Sequence, residues 1–367
     1  MKIGILTHYK VYNMGAQLQL SAMRHYLEDL GHRVTVLTYE KDFSFMAGEK
    51  EKNSASLKAL PYYIRHYLFE KGPGLTLFNV RKVRALQAGM KDYAYEPFDS
   101  GDCDAIVIGS DEVFSIDVGC NRMMYGYGIE NTPKIAYAPA FGRTTEETLR
   151  KYNCYELVRD GLKQMEFLSA RDVHTQEMIR TLTGREAPLV CDPVLLYDGR
   201  GFGNSHRELR GKYMVIYAYD SHMIAPEEIR ALKAYAKKHG LQTVSLGTYH
   251  AWCDRNVVCD PDSWYHLFHN ASCVVTDTFH GSIVAMKNHC NAAVYIRESI
   301  NAFKLRSLLE ETGLTERRLK AITESELERV LSAPIDYTET DARIAAMAER
   351  SAAYLRGALD QIRDQKS

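Results

Sequence analysis

The chain has 367 residues, 46% of them hydrophobic and 25% charged, with a formal net charge of −1. That balance belongs to a water-soluble globular protein, and the length exceeds what one core usually holds, so two domains are expected. Near-zero charge argues against bulk attraction to nucleic acid or to an anionic membrane. Eight cysteines occur without a Cys-x-x-Cys pair, which predicts a reducing compartment and neither a disulfide framework nor a metal site. The chain opens directly on an apolar strand, Ile3-Gly4-Ile5-Leu6, and no apolar run approaches the ~20 residues that span a bilayer. A cytoplasmic protein without a signal peptide is expected.

Residues 1–40 predict one βαβ unit: a buried strand over 2–7, a helix over 16–30 closed by Gly31, and a second strand at Val34-Thr35-Val36-Leu37. The intervening turn is longer than a dinucleotide fingerprint and lacks its G-x-G-x-x-G spacing. Asn13 can cap the helix and Gly15 leaves its backbone accessible there; a plain capped turn is the alternative. Residues 43–96 show no clear strand. Within them, 57–69 mix aromatic and basic residues at roughly helical spacing, a pattern that suits either a packed helix or contact with lipid headgroups or carbohydrate. Gly72-Pro73-Gly74 separates this stretch from a helix around 78–86.

Ala105-Ile106-Val107-Ile108 predicts another buried strand, and Gly109-Ser110-Asp111 at its end combines a glycine, a hydroxyl and a carboxylate. Asp102 and Asp104 precede that strand and are expected in a solvated turn. Strands are also expected at 135–139 and 167–172, the latter leading into a helix from Val173. Asp192-Pro193 marks a turn at a further strand end. Arg171 falls at a strand-to-helix junction, where its planar guanidinium suits a carboxylate or phosphate ligand, or a structural carboxylate partner. Residues 199–211, rich in glycine and charge, are expected to link a first domain (1–198) to a second (212–335). A helix in the last segment (336–367) is expected to pack back on the first domain.

The second half predicts strands at 213–219, 242–246, 273–276 and 292–296, with helices at 226–239, 262–269 and 304–311. Between 273–276 and the helix that follows lies Asp277-Thr278-Phe279-His280-Gly281-Ser282. His280 thus stands where a strand hands over to a helix N-terminus, a place that favours anions. A histidine there can bind a phosphate or carboxylate, move a proton, or simply cap its own helix. Strands alternating with helices in both halves predict two doubly wound, Rossmann-like domains facing across a cleft.

Five stretches in order are similar to the polysaccharide pyruvyl transferase family: Asn13-Met14-Gly15-Ala16-x-Leu18-Gln19, Gly109-Ser110-Asp111-Glu112-Val113-Phe114, Ser169-Ala170-Arg171-Asp172, Asp192-Pro193-Val194-Leu195-Leu196 and Val275-Thr276-Asp277-Thr278-Phe279-His280-Gly281. The resemblance implies a GT-B-like α/β fold. It also implies transfer of pyruvate from phosphoenolpyruvate to a sugar of a cell-surface glycan or its lipid-linked precursor, forming a cyclic ketal. His280 would then be the general acid. Arg171, with Arg297 and Arg306, would grip the donor, and Asn13, Gly15, Gly109, Ser110, Thr278 and Gly281 would line the substrate site. Met14, Glu112, Phe114 and Thr278 depart from the residues common in the family. Asp111, at a strand end, is expected to accept a hydroxyl proton. No cofactor or metal is expected beyond the phosphoenolpyruvate donor, no nucleic-acid partner, and at most peripheral contact with the inner face of the membrane. Two other functions fit the same architecture: a nucleotide-sugar-dependent glycosyltransferase, and a non-catalytic glycan-binding relative.

Overall fold

A computed structural model describes residues 1–41, 72–203, 209–297 and 302–366. The aromatic and basic stretch 57–69 and part of the expected linker lie outside the described residues.

The first domain is built on β1 (Lys2–Leu6), α1 (Met14–Asp29), β2 (Arg33–Thr38), α2 (Gly72–Gly89), β3 (Tyr95–Pro97), β4 (Ala105–Ile108) and β5 (Lys134–Ala136). Its five strands are all parallel, in the order β3-β2-β1-β4-β5, with Ile5 opposite Val36 on one side and Val107 on the other. Parallel strands need helices on both faces, which is why β1 and β4 are nearly continuous apolar runs. The helices α3 (Glu146–Lys151), α4 (Tyr155–Lys163), α5 (Val173–Thr183) and the single turn α6 (Pro193–Leu196) complete this half.

The second domain follows with β6 (Tyr213–Tyr217), α7 (Pro226–Lys238), β7 (Gln242–Leu246), β8 (Arg255–Val257), α8 (Pro261–His269), β9 (Cys273–Thr276), α9 (Phe279–Lys287), β10 (Ala292–Tyr295), α10 (Ala302–Thr312), β11 (Arg318–Leu319) and α11 (Glu324–Leu331). Its sheet runs β11-β10-β9-β6-β7-β8, again entirely parallel.

Four expectations are corrected. Tyr95–Pro97 forms an edge strand where none was expected, and β8 and β11 are likewise too short to stand out as apolar runs. Residues 167–172 form no full strand: Phe167 and Ala170 make only isolated bridges to Ile135 and Leu189. Asp192 ends no strand either; its carboxylate caps α6 through the Val194 N–H at 3.0 Å. The helix of the His280 loop starts at Phe279, so Gly281 lies inside its first turn.

In an open parallel sheet the crevice opens where strand order reverses direction. In the first sheet this lies between β1 and β4, whose following loops carry Asn13 and Gly109-Ser110-Asp111. In the second it lies between β6 and β9, followed by Tyr219–His222 and by Asp277–His280. α1 bridges the halves. Every residue from Met14 to Met23 is buried, because one side packs on β2 while another meets α8, where Ser21 Oγ donates to Asp262 Oδ1 at 2.8 Å. The last helix, α12 (Thr338–Lys366), returns to the first domain. There Tyr354 donates to the Ala136 carbonyl at 3.0 Å and Ser351 Oγ accepts from the Cys191 N–H at 2.8 Å. Asp104 sits at the opposite end of β4 from the crevice, bound by the Lys2 N–H and the Lys366 ammonium.

Candidate active site

The centre of the interdomain cleft is an ion cluster drawn from four separate segments. Arg171 is only 5% exposed and meets Asp111 Oδ1 at 3.4 Å and Asp192 Oδ2 at 3.3 Å, both through Nη1. From the other domain, His280 Nε2 lies 3.3 Å from the same Asp192 oxygen. That approach is off the line of a hydrogen bond, so Nε2 is buried without a well-aligned partner. Phe279 packs beneath the Arg171 guanidinium at 5.1 Å, a cation–π contact.

Burial would push both carboxyls up, but the surrounding cations outweigh it. Arg171, His280, His8 and Lys304 bring Asp111 down to about 2. His280 and Arg171 hold Asp192 below the usual carboxylate range. His8 faces this cluster from β1's loop and is itself pushed down by burial, its Nδ1 meeting the Tyr39 hydroxyl at 3.0 Å.

Two helix N-termini point into the same space. Asn13 caps α1 by accepting from the Ala16 N–H at 3.1 Å, and Thr278 caps α9 by accepting from the Gly281 N–H at 3.1 Å. Gly15 is where they touch: a Cβ there would lie 2.3 Å from His280 Nδ1 and 2.6 Å from His280 Cβ. Gly109 adopts φ 123°, and any Cβ would fall 2.1 Å from the Tyr137 carbonyl oxygen, so the turn that aims Asp111 requires glycine. Ser110 is fully buried and directs its hydroxyl to the Asp111 N–H at 2.6 Å; it supports the loop instead of facing solvent.

The open cleft encloses about 300 Å³ and is lined by Asn13, Asp111, Arg171, Thr278, His280 and Lys304, among others. Lys304 was not anticipated; it reaches in from α10 and pairs with Glu112. Arg306, two residues further on, does not line this cleft. Neither does Arg297, whose Nε donates to Asp277 Oδ2 at 2.8 Å and whose Nη2 meets Glu228 at 3.2 Å. The donor-gripping arrangement expected of these two arginines is therefore not assembled around Arg171 and His280. A second cavity of about 400 Å³ lies on the far side of Arg171 and Phe279, lined mainly by apolar groups such as Leu189, Leu195, Leu308 and Met347. It is roomier but its lining lacks His280, Asp111 and the capping residues Asn13 and Thr278, all of which line the smaller cleft.

Two parallel α/β domains with a cleft at both switch points define the GT-B architecture. Solved structures agree: UGT89C1 of Arabidopsis thaliana, complexed with UDP, aligns with TM-score 0.52 at 14% identity, covering 100% of this chain and 99% of that one. An alpha-glucosyltransferase in complex with UDP aligns with TM-score 0.50 at 9% identity, covering 99% of each chain. At such identities the likeness is one of fold alone. No match is found among curated protein sequences. The model of the family "Polysaccharide pyruvyl transferase" matches residues 13–299, well over half of the chain. The protein belongs to the polysaccharide pyruvyl transferase family and is a glycan-modifying transferase.

Proposed function

We propose that the protein transfers pyruvate from phosphoenolpyruvate to a sugar of a cell-surface glycan or its lipid-linked precursor, closing a cyclic ketal. The observation that carries this reading is the meeting of Arg171 and His280 from opposite domains, beneath two helix N-termini, in a chain of this family. Phosphoenolpyruvate carries a phosphate and a carboxylate on three carbons. Helix N-termini and a guanidinium whose Nε and Nη2 are not committed to Asp111 or Asp192 suit such a compact anion.

In the proposed mechanism His280 delivers a proton to C3 of the enol. C2 becomes electrophilic, a sugar hydroxyl adds there, phosphate leaves, and a second hydroxyl closes the ring. Asp192 lies against His280 and fixes Arg171. Asp111 is the poorer candidate for a base: a carboxyl held at about 2 and tied to Arg171 has little affinity for a proton near neutral pH. Its role is to anchor Arg171. The acceptor is a glycan, no metal or cofactor takes part, and the protein works in the cytoplasm or at the inner face of the membrane. Among the described residues no helix is long and apolar enough to cross a membrane.

Thermal-shift titration with phosphoenolpyruvate, beside UDP, GDP and CMP sugars, tests the donor. A ligand at 100 times its dissociation constant stabilises a folded protein by about 2.7 kcal/mol. The expected result is a shift with phosphoenolpyruvate alone, diminished in His280→Ala and Arg171→Ala. A shift with a nucleotide sugar in place of phosphoenolpyruvate overturns the proposal in favour of glycosyl transfer.

A further inference from the structure

Beside the cleft, against its lining residues Tyr219 and Asp277, stands a histidine that the proposed reaction has not used. The loop after β6 places His222 beside the His280 loop, because β6 and β9 are hydrogen-bonded neighbours at the reversal of strand order. His222 Nδ1 lies 2.7 Å from Asp277 Oδ2, and the two residues are exposed to opposite degrees. The Asp277 side chain is wholly buried while that of His222 is 33% exposed. A carboxylate can only accept, so Nδ1 carries the hydrogen of this contact. Among the described residues Nε2 has no hydrogen-bond partner.

The surroundings hold this arrangement rigidly. Arg297 Nε donates to the same Asp277 oxygen at 2.8 Å and Arg297 also meets Glu228 on α7, so the carboxylate is fixed from behind. The His222 carbonyl accepts from His250 Nε2 at 3.1 Å, and the next carbonyl, of Met223, accepts from Trp252 Nε1 at 2.9 Å. The imidazole meets Tyr219 edge-on at 5.3 Å. Tyr219 lines the cleft and is 52% exposed; Tyr12, from the other domain, lines it too and is 59% exposed. Exposed tyrosines at a cleft mouth offer an apolar face with a polar edge, which suits a sugar ring.

We infer that His222, oriented by Asp277, takes the proton from the acceptor hydroxyl, and that the Tyr219–His222 turn with Tyr12 forms the sugar-binding side of the cleft. This rests on the pyruvyl transfer proposed above and supplies the base that Asp111 cannot provide. The acceptor O–H bond breaks with its proton passing to His222 Nε2. The oxygen bonds to C2, and the C2=C3 electron pair takes the proton from His280. Phosphate then leaves with the electrons of its C–O bond. The second hydroxyl adds to C2, its proton restores His280, and His222 passes its own proton to the departed phosphate. One hydroxyl proton thus ends on the new methyl group and the other on phosphate, with no oxidant or reductant required. Asp277 is a positioning residue in this scheme. The charged or titratable groups around His222 are Asp277, Arg297 and Glu228, with His250 and Asp220 from the adjoining loops.

The test measures phosphate release from phosphoenolpyruvate on methyl hexopyranosides of the gluco, galacto and manno series, with His222→Ala and Asp277→Asn beside wild type. Loss of a general base costs about 10²–10⁴ in turnover. His222→Ala is expected to fall by at least a hundredfold, keep its thermal shift with phosphoenolpyruvate, and recover at least tenfold with added imidazole, which the partly exposed site can admit. Asp277→Asn is expected to displace the limb of the pH–rate profile that reports the base. A His222→Ala enzyme within threefold of wild type overturns the inference, as does a folded one that imidazole does not rescue. Absence of both a phosphoenolpyruvate shift and turnover in wild type overturns the donor assignment itself, which no result with the His222 variant can mimic.

Discussion

Replacing Gly15 by alanine should separate activity from stability. The added Cβ would stand 2.3 Å from His280 Nδ1, 2.4 Å from Cγ and 2.6 Å from Cβ, where ordinary contact begins at 3.4 Å, so α1 and His280 must part by about 1 Å. A rotamer change cannot provide that room, because His280 Cβ is itself among the crowded atoms and moves only with the α9 backbone. Overpacking costs typically 1–3 kcal/mol, while exchanging glycine for alanine in a helix returns about 1 kcal/mol. The net loss of stability is therefore at most about 2 kcal/mol and the protein stays folded. A displacement of about 1 Å at a reacting group can cost about a hundredfold in rate. The assay is phosphate release from phosphoenolpyruvate in the presence of acceptor, paired with urea unfolding of the same preparation. Turnover within threefold of wild type in a folded Gly15→Ala protein would refute the argument that α1 sets the position of a catalytic His280.

Breaking the buried cluster should show in stability. Arg171→Met removes the guanidinium that Asp111 and Asp192 share, and the expected loss is about 3–5 kcal/mol in urea unfolding. Acid should weaken the same cluster: the Asp111 carboxyl lies near 2 in the folded protein against 3.8 ordinarily. A depressed folded value means the stabilisation is complete above the unfolded value and is lost as pH falls from about 4 through 2, by roughly 2 kcal/mol for this group. Asp111→Asn should flatten that part of the stability–pH curve. Turnover should persist in excess EDTA; loss on chelation with recovery on adding Mg²⁺ would contradict the proposed metal-free mechanism.

What the amino-acid order determined by itself was the layout that follows from apolar runs and their periods. The apolar runs of β1, β6 and β9, each followed by a helical period, together with the equally apolar β4, require parallel strands covered on both faces, and hence two α/β layers. The apolar run Ile283-Val284-Ala285-Met286 is a local helix signal, which is why His280 was placed near a helix N-terminus, although the helix begins earlier, at Phe279 behind its cap Thr278. Short edge strands such as Tyr95–Pro97 escaped because three residues at a sheet margin show no apolar period.

Tertiary structure alone decided which charged groups meet. Arg171 finds Asp111 60 residues away and Asp192 21 residues away, and His222 finds Asp277 across 55 residues. Nothing local distinguishes Arg297, committed to Asp277 and Glu228, from an arginine open to a ligand, nor shows that Lys304 and not Arg306 reaches the cleft. A side chain's partner is set by the register of strands and the facing of two domains. Coulomb attraction acts over a few ångströms of space, whereas motif and period record only distance along the chain.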